Sequence, residues 1–498
     1  MQLQEVLQGV HVSGGFDPLL DITDIAYDSR KACAGTMFVC LSGARTDGHI
    51  FAKNAYDTGC RIFLCENPID VPDDAVILSC ADTRAALAVC ACNFFRHPYR
   101  DIKVIGITGT KGKTTTAHII KAVLEHAGIP TGIIGTVGAA FCNKVLPTVN
   151  TTPESYELQK LLRMMADAGC RAAAIEVSSL GLKFHRVDGL QFDTAVFTNL
   201  SPDHIGTNEH DSFEEYAGWK KQLFAHCDYA VLNGDDPFSE TIAQFCPCPK
   251  VTYGFSQNAD VRLLNAARSK RDHQLGVACS AVLCGEDFSF FLSLPGTVNA
   301  YNALAAAAVA KRFGVANETI CQALANVHVK GRGEVVDTHT PYSVIIDYAH
   351  NGVSLKSIIE TARAYDHNRI IALYGSVGSR TEIRRKELGL VSGALCDLSI
   401  LTSDDPEFED PNQIIAEIAR YVEEAGGKHV DIPDRAEAIR YALSIAEPGD
   451  ILIFAGKGHE EFMKVRGEKL PFSEKQVIFE YLNMKGQATS DQGLGLRN

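Results

Sequence analysis

Gly106-Ile-Thr-Gly-Thr-Lys-Gly-Lys-Thr-Thr115 is the stretch of this 498-residue chain whose residue types and spacing point most directly to chemistry. Its glycines, at 106, 109 and 112, let backbone N–H groups turn inward around phosphate oxygens. A helix starting at the end of the loop adds partial positive charge there. Lys113 can then reach the terminal phosphates of a nucleotide, and the Thr114 hydroxyl can hold Mg2+. The strict pattern G-x-x-x-x-G-K-[ST] asks for Gly at 107, where this chain has Ile, so the loop is a variant. The same letters would suit a glycine-rich turn with a solvated lysine. A strand before and a helix after favour the phosphate reading, and with it the use of Mg·ATP.

The elements that must position this loop are legible around it. Val104–Thr108 reads as a buried strand, and Thr114–His126 has helical periodicity that ends before Gly128 and Pro130. Thr131–Val137 reads as a strand, Ser155–Ala168 as a helix and Ala172–Val177 as a strand. Strands alternating with helices argue for a parallel sheet. The Ala-rich helix Ala300–Phe313 closes this unit. Upstream, Met37–Leu41 and Arg61–Cys65 read as strands and Phe51–Thr58 as a helix, with a boundary at the Pro of Phe94–Tyr99. Downstream, Val344–Ile346, Ile370–Tyr374, Leu398–Leu401 and Ile451–Phe454 read as strands separated by helices. The fold class is therefore α/β in three domains, at 1–100, 101–333 and 334–498. The Gly/Gln/Ser-rich tail from Met484 is expected to lack structure.

Composition narrows the function. Hydrophobic residues make up 46% and charged residues 22%, ordinary for a chain that buries cores. A net charge of −14 disfavours nucleic acid as a partner. No apolar run approaches a membrane span, and the N-terminus lacks a basic segment and a long apolar core, so a cytoplasmic location is expected. The 16 cysteines are expected to be reduced. Their closest spacings, Cys90-Ala-Cys92 and Cys246-Pro-Cys248, are not the C-x-x-C of a zinc site, so buried small apolar side chains are the reading.

Further segments follow the loop in order: Asn150-Thr-Thr-Pro153, Glu176-Val-Ser-Ser179, His185-Arg186, Thr198-Asn-Leu-Ser-Pro-Asp-His204 and Val231-Leu-Asn-Gly-Asp-Asp236. Then come Gly331-Arg-Gly-Glu334, Asp347-Tyr-Ala-His350, Asp404-Asp-Pro406 and Ala455-Gly-Lys-Gly-His-Glu460, with Tyr27-Asp-Ser-Arg30 near the start. This set, together with the variant loop, resembles the Mur ligase family over nearly the whole chain, and specifically its MurE type. The resemblance implies an N-terminal uridine-binding domain, a central P-loop ATPase domain and a C-terminal Rossmann-like ligase domain. It implies an ATP-dependent, ADP-forming ligase that extends the peptidoglycan precursor UDP-MurNAc-L-Ala-D-Glu by a diamino acid, through an acyl phosphate. It also implies a monomer.

By the same resemblance, Gly109, Thr110, Lys111, Gly112, Lys113, Thr114, Thr115, Asn299, Asn302 and Arg332 bind ATP. Thr114, Glu176, His204 and a carbamylated Lys220 hold Mg2+. Asp347 and His350 act from the third domain, and Tyr27, Ser29, Asn150, Thr151, Thr152, Ser178 and Arg186 hold the UDP-sugar dipeptide. Read by themselves several of these residues have plainer roles: Asn299 as a helix cap, His350 as a structural hydrogen-bond partner, and Lys220 or its neighbour Lys221 as a solvated charge. Carbamylation needs a lysine whose pKa is depressed. Departures from the family pattern occur at Lys111, at Leu180 in place of a common His, and at Phe184 where many relatives have Gln.

Arg380, Asp404, Asp405, Pro406, Glu407, Gly456 and Glu460 match the amino-acid pocket, with Arg380 gripping the α-carboxylate. Members that add meso-diaminopimelate carry Asp-Asn-Pro-Arg, whereas this chain reads Asp404-Asp405-Pro406-Glu407. A carboxylate facing Glu407 is repelled and an ammonium is welcomed, so L-lysine is the expected substrate. Meso-diaminopimelate, or a Mur-fold paralogue joining another carboxylate and amine, is the alternative. Glu407 pointing to water from a simple turn would remove the argument.

Overall fold

A computed structural model describes residues 1–43, 46–203, 205–206, 209–271, 274–379 and 382–494. The chain divides into two compact units. One comprises 1–262, 282–286 and 301–320, and the other 263–281, 287–300 and 321–498.

The first unit begins with an all-parallel sheet of four strands, β1 (Asp24–Ala26), β2 (Thr36–Val39), β3 (Ile62–Cys65) and β4 (Val76–Ser79), in that order. Helix α1 (Thr83–Phe94) follows, its first N–H groups capped by the Asp82 carboxylate. The larger sheet contains β5 (Lys103–Thr108), β6 (Thr131–Gly135), β7 (Gly138–Phe141), β8 (Lys144–Leu146), β9 (Ala172–Glu176), β10 (Thr194–Phe197), β11 (Ala230–Asn233) and β12 (Lys250–Gly254). Their spatial order is β12-β11-β10-β5-β9-β6-β7-β8. All pairings from β12 to β6 are parallel, and β7 and β8 add an antiparallel ribbon. Helices α2 (Lys113–His126), α3 (Ser155–Asp167), α4 (Phe213–Gln222) and α5 (Phe238–Phe245) connect the strands. Central strands covered on both faces read as continuous apolar runs, and β9 is buried at every position.

In the second unit β13 (Val261–Arg271), β14 (Gln274–Leu283) and β15 (Glu286–Leu292) lie side by side, with their ends reaching into the first unit. Helix α6 (Val298–Arg312) passes into the first unit at Tyr301. A six-stranded sheet follows, built from β16 (Glu334–Val336), β17 (Ser343–Asp347), β18 (Ile370–Tyr374), β19 (Leu398–Leu401), β20 (His429–Asp431) and β21 (Ile451–Ala455). Its order is β16-β17-β21-β18-β19-β20, parallel except for β16. Helices α7 (Gly352–Arg363), α8 (Glu382–Leu395), α9 (Pro411–Glu424) and α10 (Arg435–Ile445) cover it, and α11 (Glu474–Leu494) ends the described chain.

The alternation read from sequence is present, with two differences that have physical causes. The strand expected to run to Val137 ends at Gly135, because the Thr136 amide leaves the ladder and donates to Glu176 Oε1 at 2.9 Å. The tail expected to lack structure is instead helical to Leu494. Val477 and Ile478 bury the first turns of α11 against the sheet, and propagation from a fixed nucleus carries the helix onward. Among the described residues no helix is long and apolar enough to cross a membrane.

Candidate active site

In parallel α/β sheets the loops at the carboxyl ends of the strands gather at one edge, and ligands bind there. In the first unit the loop after β5 turns through Gly109 at φ +146° and Gly112 at φ +86°, conformations that side-chain-bearing residues rarely adopt. A Cβ on Gly109 would stand 2.0 Å from Thr198 Oγ1, and one on Gly112 would stand 2.6 Å from Asn302 Oδ1. The loop is thus a cradle that only glycines permit. It is pinned by the strand beside it: Thr110 N and Lys111 N donate to the backbone and side-chain oxygens of Asn199 at 2.8 and 2.9 Å. Thr198 Oγ1 donates back to Lys111 O at 2.7 Å. Thr110 Oγ1 meets Tyr216 OH at 3.1 Å, and Thr116 Oγ1 donates to Asn302 Oδ1 at 3.1 Å. Thr115 lies half-buried in the first turn of α2, and the exposed Lys111 pairs with Asp203 at 3.1 Å.

Lys113 Nζ folds over the loop and donates to Gly109 O at 2.8 Å and Thr110 O at 3.1 Å. Thr114 Oγ1 donates to Glu176 Oε2 at 2.8 Å. Glu176, 1% exposed at the end of β9, also accepts from the Thr136 amide and hydroxyl. The Thr114 hydroxyl and the Glu176 carboxylate beside this glycine-turned loop are hard oxygen donors of the kind Mg2+ takes, so these residues fit that ion. Lys220, not Lys221, is the buried lysine of α4. It is 1% exposed, and its Nζ donates to Gly109 O at 2.8 Å and lies 4.6 Å from the centre of the Tyr216 ring. Burial, with the Lys113 cation adding to it, holds its pKa well below that of an ordinary lysine. His204 lies outside the described residues.

Of the residues expected to hold the sugar dipeptide, Thr152, Ser178 and Arg186 meet one another near Glu176. Thr152 Oγ1 donates to Glu176 O at 2.9 Å and meets Ser178 Oγ at 3.1 Å, and Ser178 caps the short helix Ser179–Lys183. Arg186 binds the Glu154 carboxylate and donates to Thr152 O at 3.1 Å. Thr151 Oγ1 meets Thr136 Oγ1 at 3.1 Å, while Asn150 is exposed. Tyr27 is half-buried, and its hydroxyl is pushed up by burial and by the neighbouring Glu157. Ser29 opens a 3-10 turn capped by Asp28. Phe184 stacks under two guanidiniums, Arg84 at 5.0 Å and Arg186 at 5.6 Å, which gives an apolar residue at that position a packing role.

Four strand ends converge in the second unit. Asp347 ends β17, and its carboxylate accepts from the Gly333 and Ala349 amides at 2.7 and 2.8 Å. Burial pushes that carboxyl up, against the pull of Arg332. Arg332 stacks on Tyr348 at 4.9 Å, and its Nε is buried without a hydrogen-bond partner among the described residues. His350 Nδ1 lies 2.9 Å from Tyr348 O, and burial lowers its pKa. After β18 the chain packs on the loop after β19, where Gly378 N donates to Asp405 O at 2.8 Å. Asp404, Asp405 and Pro406 are buried. Gly456 at φ +113° follows β21, and a Cβ there would stand 2.7 Å from Asp404 Oδ2. Glu407 is half-buried at φ +53°. Asn299 Nδ2 donates to Pro295 O at 2.8 Å. Arg380 lies outside the described residues.

The residue that sequence reading passed over is Lys457, fully buried between Asp405 and Glu460 at 2.7 Å each, with Asp404 at 3.8 Å. Burial opposes its charge, but the three carboxylates outweigh that and raise its pKa. Glu154, held by both Arg84 and Arg186, was missed as well. Arg84 lies 70 residues from Glu154, and no local pattern joins them.

Three family models match the chain. They are described as the Mur ligase family catalytic domain (residues 21–95), the Mur ligase middle domain (107–310) and the Mur ligase glutamate ligase domain (331–458). A UDP-N-acetylmuramoyl-L-alanyl-D-glutamate–2,6-diaminopimelate ligase of Clostridium botulinum is 37% identical over 97% of this chain and 99% of its own length. One of the same name from Caldanaerobacter subterraneus is 38% identical over 97% of this chain and 99% of its own. A solved structure bearing that enzyme name superposes with a TM-score of 0.71 at 27% identity, covering 98% of this chain and 99% of its own. A folylpolyglutamate synthase of Mycobacterium tuberculosis shares the fold at TM-score 0.59 and 18% identity, but over only 75% of this chain. Glycine-cradled loop, buried Glu176 and end-to-end similarity agree: the chain belongs to the Mur ligase family, MurE type, and is an ATP-dependent, ADP-forming acid–amino-acid ligase.

Proposed function

We propose that this chain joins a diamino acid to the D-glutamyl carboxylate of UDP-MurNAc-L-Ala-D-Glu, working in the cytosol as a monomer. The observation that carries the reading is the end-to-end similarity to relatives named for that step. Those names favour 2,6-diaminopimelate as the amine donor.

The division of labour follows the three regions, 1–100, 101–333 and 334–498. Tyr27 and Ser29 receive the uridine, and Asn150, Thr151, Thr152, Ser178 and Arg186 hold the sugar dipeptide. Gly109–Thr115 and Asn302 cradle the ATP phosphates with Lys113, and Asn299, Arg332, Asp347 and His350 serve the nucleotide. Thr114, Glu176 and His204 hold Mg2+, which supplies charge neutralisation for the phosphate oxygens. Neutral Lys220 adds CO2 at Nζ, releasing a proton and leaving an anionic carbamate. The D-glutamyl carboxylate attacks the γ-phosphorus, ADP leaves, and an acyl phosphate results. The donor amine then attacks the acyl carbon, and phosphate departs as the amide forms. Arg380, Asp404, Asp405, Pro406, Glu407, Gly456 and Glu460 orient that amine donor.

Glu407 supports a second reading, in which L-lysine is the donor. The acidic side chain stands where the diaminopimelate pattern has Arg, and like charges facing each other cost several kcal/mol. Phosphate release by the purified chain with Mg·ATP and UDP-MurNAc-L-Ala-D-Glu, with product mass read for each amine, tests both. Release with diaminopimelate supports the first reading, and release with lysine alone the second. Silence with both amines sinks the proposal.

A further inference from the structure

Cys227, Cys246 and Cys248 stand at the opposite end of the parallel sheet from the phosphate loop, ahead of β11 and β12. Sequence spacing shows only the Cys246-Pro-Cys248 pair, and the fold brings in Cys227 from 19 positions earlier. Cys246 Sγ lies 3.1 Å from Cys248 Sγ, Cys227 Sγ lies 3.5 Å from Cys248 Sγ, and all three sulfurs fall within 4.8 Å of one another. Buried Cys60 and Cys65 turn to the backbone carbonyls of Thr36 and Leu78, and Cys227 itself also lies 3.8 Å from Phe224 O. In the cluster three thiols face one point.

The backbone holds them there. Cys246 ends α5 in an extended conformation, φ −77° and ψ 119°, and each of the two neighbouring cysteines precedes a proline in Cys246-Pro-Cys248-Pro249. A following proline restricts a residue to the extended region, so the two thiols are preset at little entropic cost. Pro249 O accepts from Ala230 N at 3.0 Å, and the segment around Cys227 is pinned by Phe192 N donating to His226 O and Asp228 N donating to Phe192 O, both at 2.9 Å. Cys227 and Cys246 are 6% and 3% exposed, and Cys248 is half-buried and opens the cluster to solvent.

We propose that Cys227, Cys246 and Cys248 form a three-thiolate site for a thiophilic divalent cation, with zinc as its ordinary occupant and one coordination position left open. Metal–sulfur bonds of about 2.3 Å hold sulfurs about 3.8 Å apart in tetrahedral geometry, so the Cys246–Cys248 pair must open by about 0.7 Å and the Cys227–Cys248 pair by about 0.3 Å. Binding is balanced as one M2+ displacing three thiol protons to solvent, which leaves a site of charge −1. The Lys250 ammonium, donating to Ala243 O at 2.8 Å and Cys246 O at 3.1 Å, sits beside that charge. Because each ligand must give up its thiol proton, uptake weakens as pH falls.

The test uses the full chain, reduced and stripped of metal. Titration with cadmium is followed by sulfur-to-metal absorbance in the ultraviolet, and titration with zinc by intact mass. We expect one ion per chain and protection of Cys248 from alkylation in the loaded protein. Cys248→Ser loses part of the band and binds at least about tenfold more weakly, whereas Cys33→Ser, at an exposed cysteine, behaves as the parent. Absence of a band, a band undiminished in Cys248→Ser, or cadmium uptake that leaves Cys248 open to alkylation overturns the site. Should Cys248→Ser fail to fold, the alkylation pattern of the parent chain decides alone.

Discussion

Two lysines, Lys220 in the first unit and Lys457 in the second, are each withdrawn from solvent, and their surroundings treat the charge in opposite ways. Among the described residues Lys220 meets one carbonyl oxygen and the Tyr216 ring; burial and the Lys113 cation outweigh the pull of Asp203, and its pKa falls. Lys457 meets Asp404, Asp405 and Glu460, and its pKa rises. Burial alone therefore does not decide whether a lysine is a base or a fixed cation; its partners do. The first arrangement suits an amine that must react, because only the neutral form carries a lone pair. The second suits a post that fixes three carboxylates around the strand ends of the second unit.

The largest effect separating the two is on turnover. Lys220→Arg keeps a cation but cannot form a carbamate, and we expect kcat to fall roughly 100-fold or more with the fold intact. A 13C-bicarbonate carbamate signal should be present in the parent and lost in the variant. Near-parental turnover by Lys220→Arg would break the assignment of a reactive role. Next in size is stability. Lys457→Met leaves buried carboxylates unpaired and should destabilise the chain by about 3–5 kcal/mol, whereas Lys220→Met removes an ill-compensated buried amine and should be close to neutral. Denaturant midpoints of the two variants test this, and equal losses would show that the two environments are energetically alike.

The ease with which each region could be read from sequence follows the same divide. The phosphate loop is local: ten consecutive residues between a buried strand and a helix carry their own signal, and α2 begins within one residue of the position read from periodicity. The parallel strands β5, β9, β18 and β19 were legible because both of their faces are largely buried and their residues are mostly apolar. Lys457 and the Glu154 clasp were not, because most of the carboxylates and guanidiniums that define them are brought together from 32 to 70 residues away. The Cys227 cluster is hidden for the same reason. Thr136, whose amide ends β6 to serve Glu176, reads in sequence as one more β-branched strand residue.

A smaller effect sharpens the comparison on the amino-acid side. Glu407→Arg restores the charge that the diaminopimelate pattern carries, and it should shift the ratio of kcat/KM for diaminopimelate over lysine upward by about tenfold or more. Because Glu407 stands outside the Lys457 cluster, melting should change little. An unchanged ratio would mean that the residue faces water and plays no part in selection.

The smallest effect is the pH dependence of stability, and there the two lysines carry opposite signs. Lys220 has a folded pKa below the ordinary 10.5, so between the two values the unfolded chain binds more protons and stability rises with pH. Its penalty is complete below the folded pKa and gone above 10.5. Lys457 has a folded pKa above 10.5, so its contribution is complete below 10.5 and is lost only as pH climbs through the folded value. In CO2-free buffer from pH 8 to 10, the parent should therefore gain on Lys220→Met by at most about 1.4 kcal/mol per pH unit. Its margin over Lys457→Met should stay flat across the same range. Added bicarbonate should raise the melting temperature of the parent and leave that of Lys220→Met unmoved, since only a neutral amine at that position can take up CO2. A margin over Lys220→Met that falls as pH rises would mean that the buried amine is held as a cation after all, and the contrast between the two lysines would collapse.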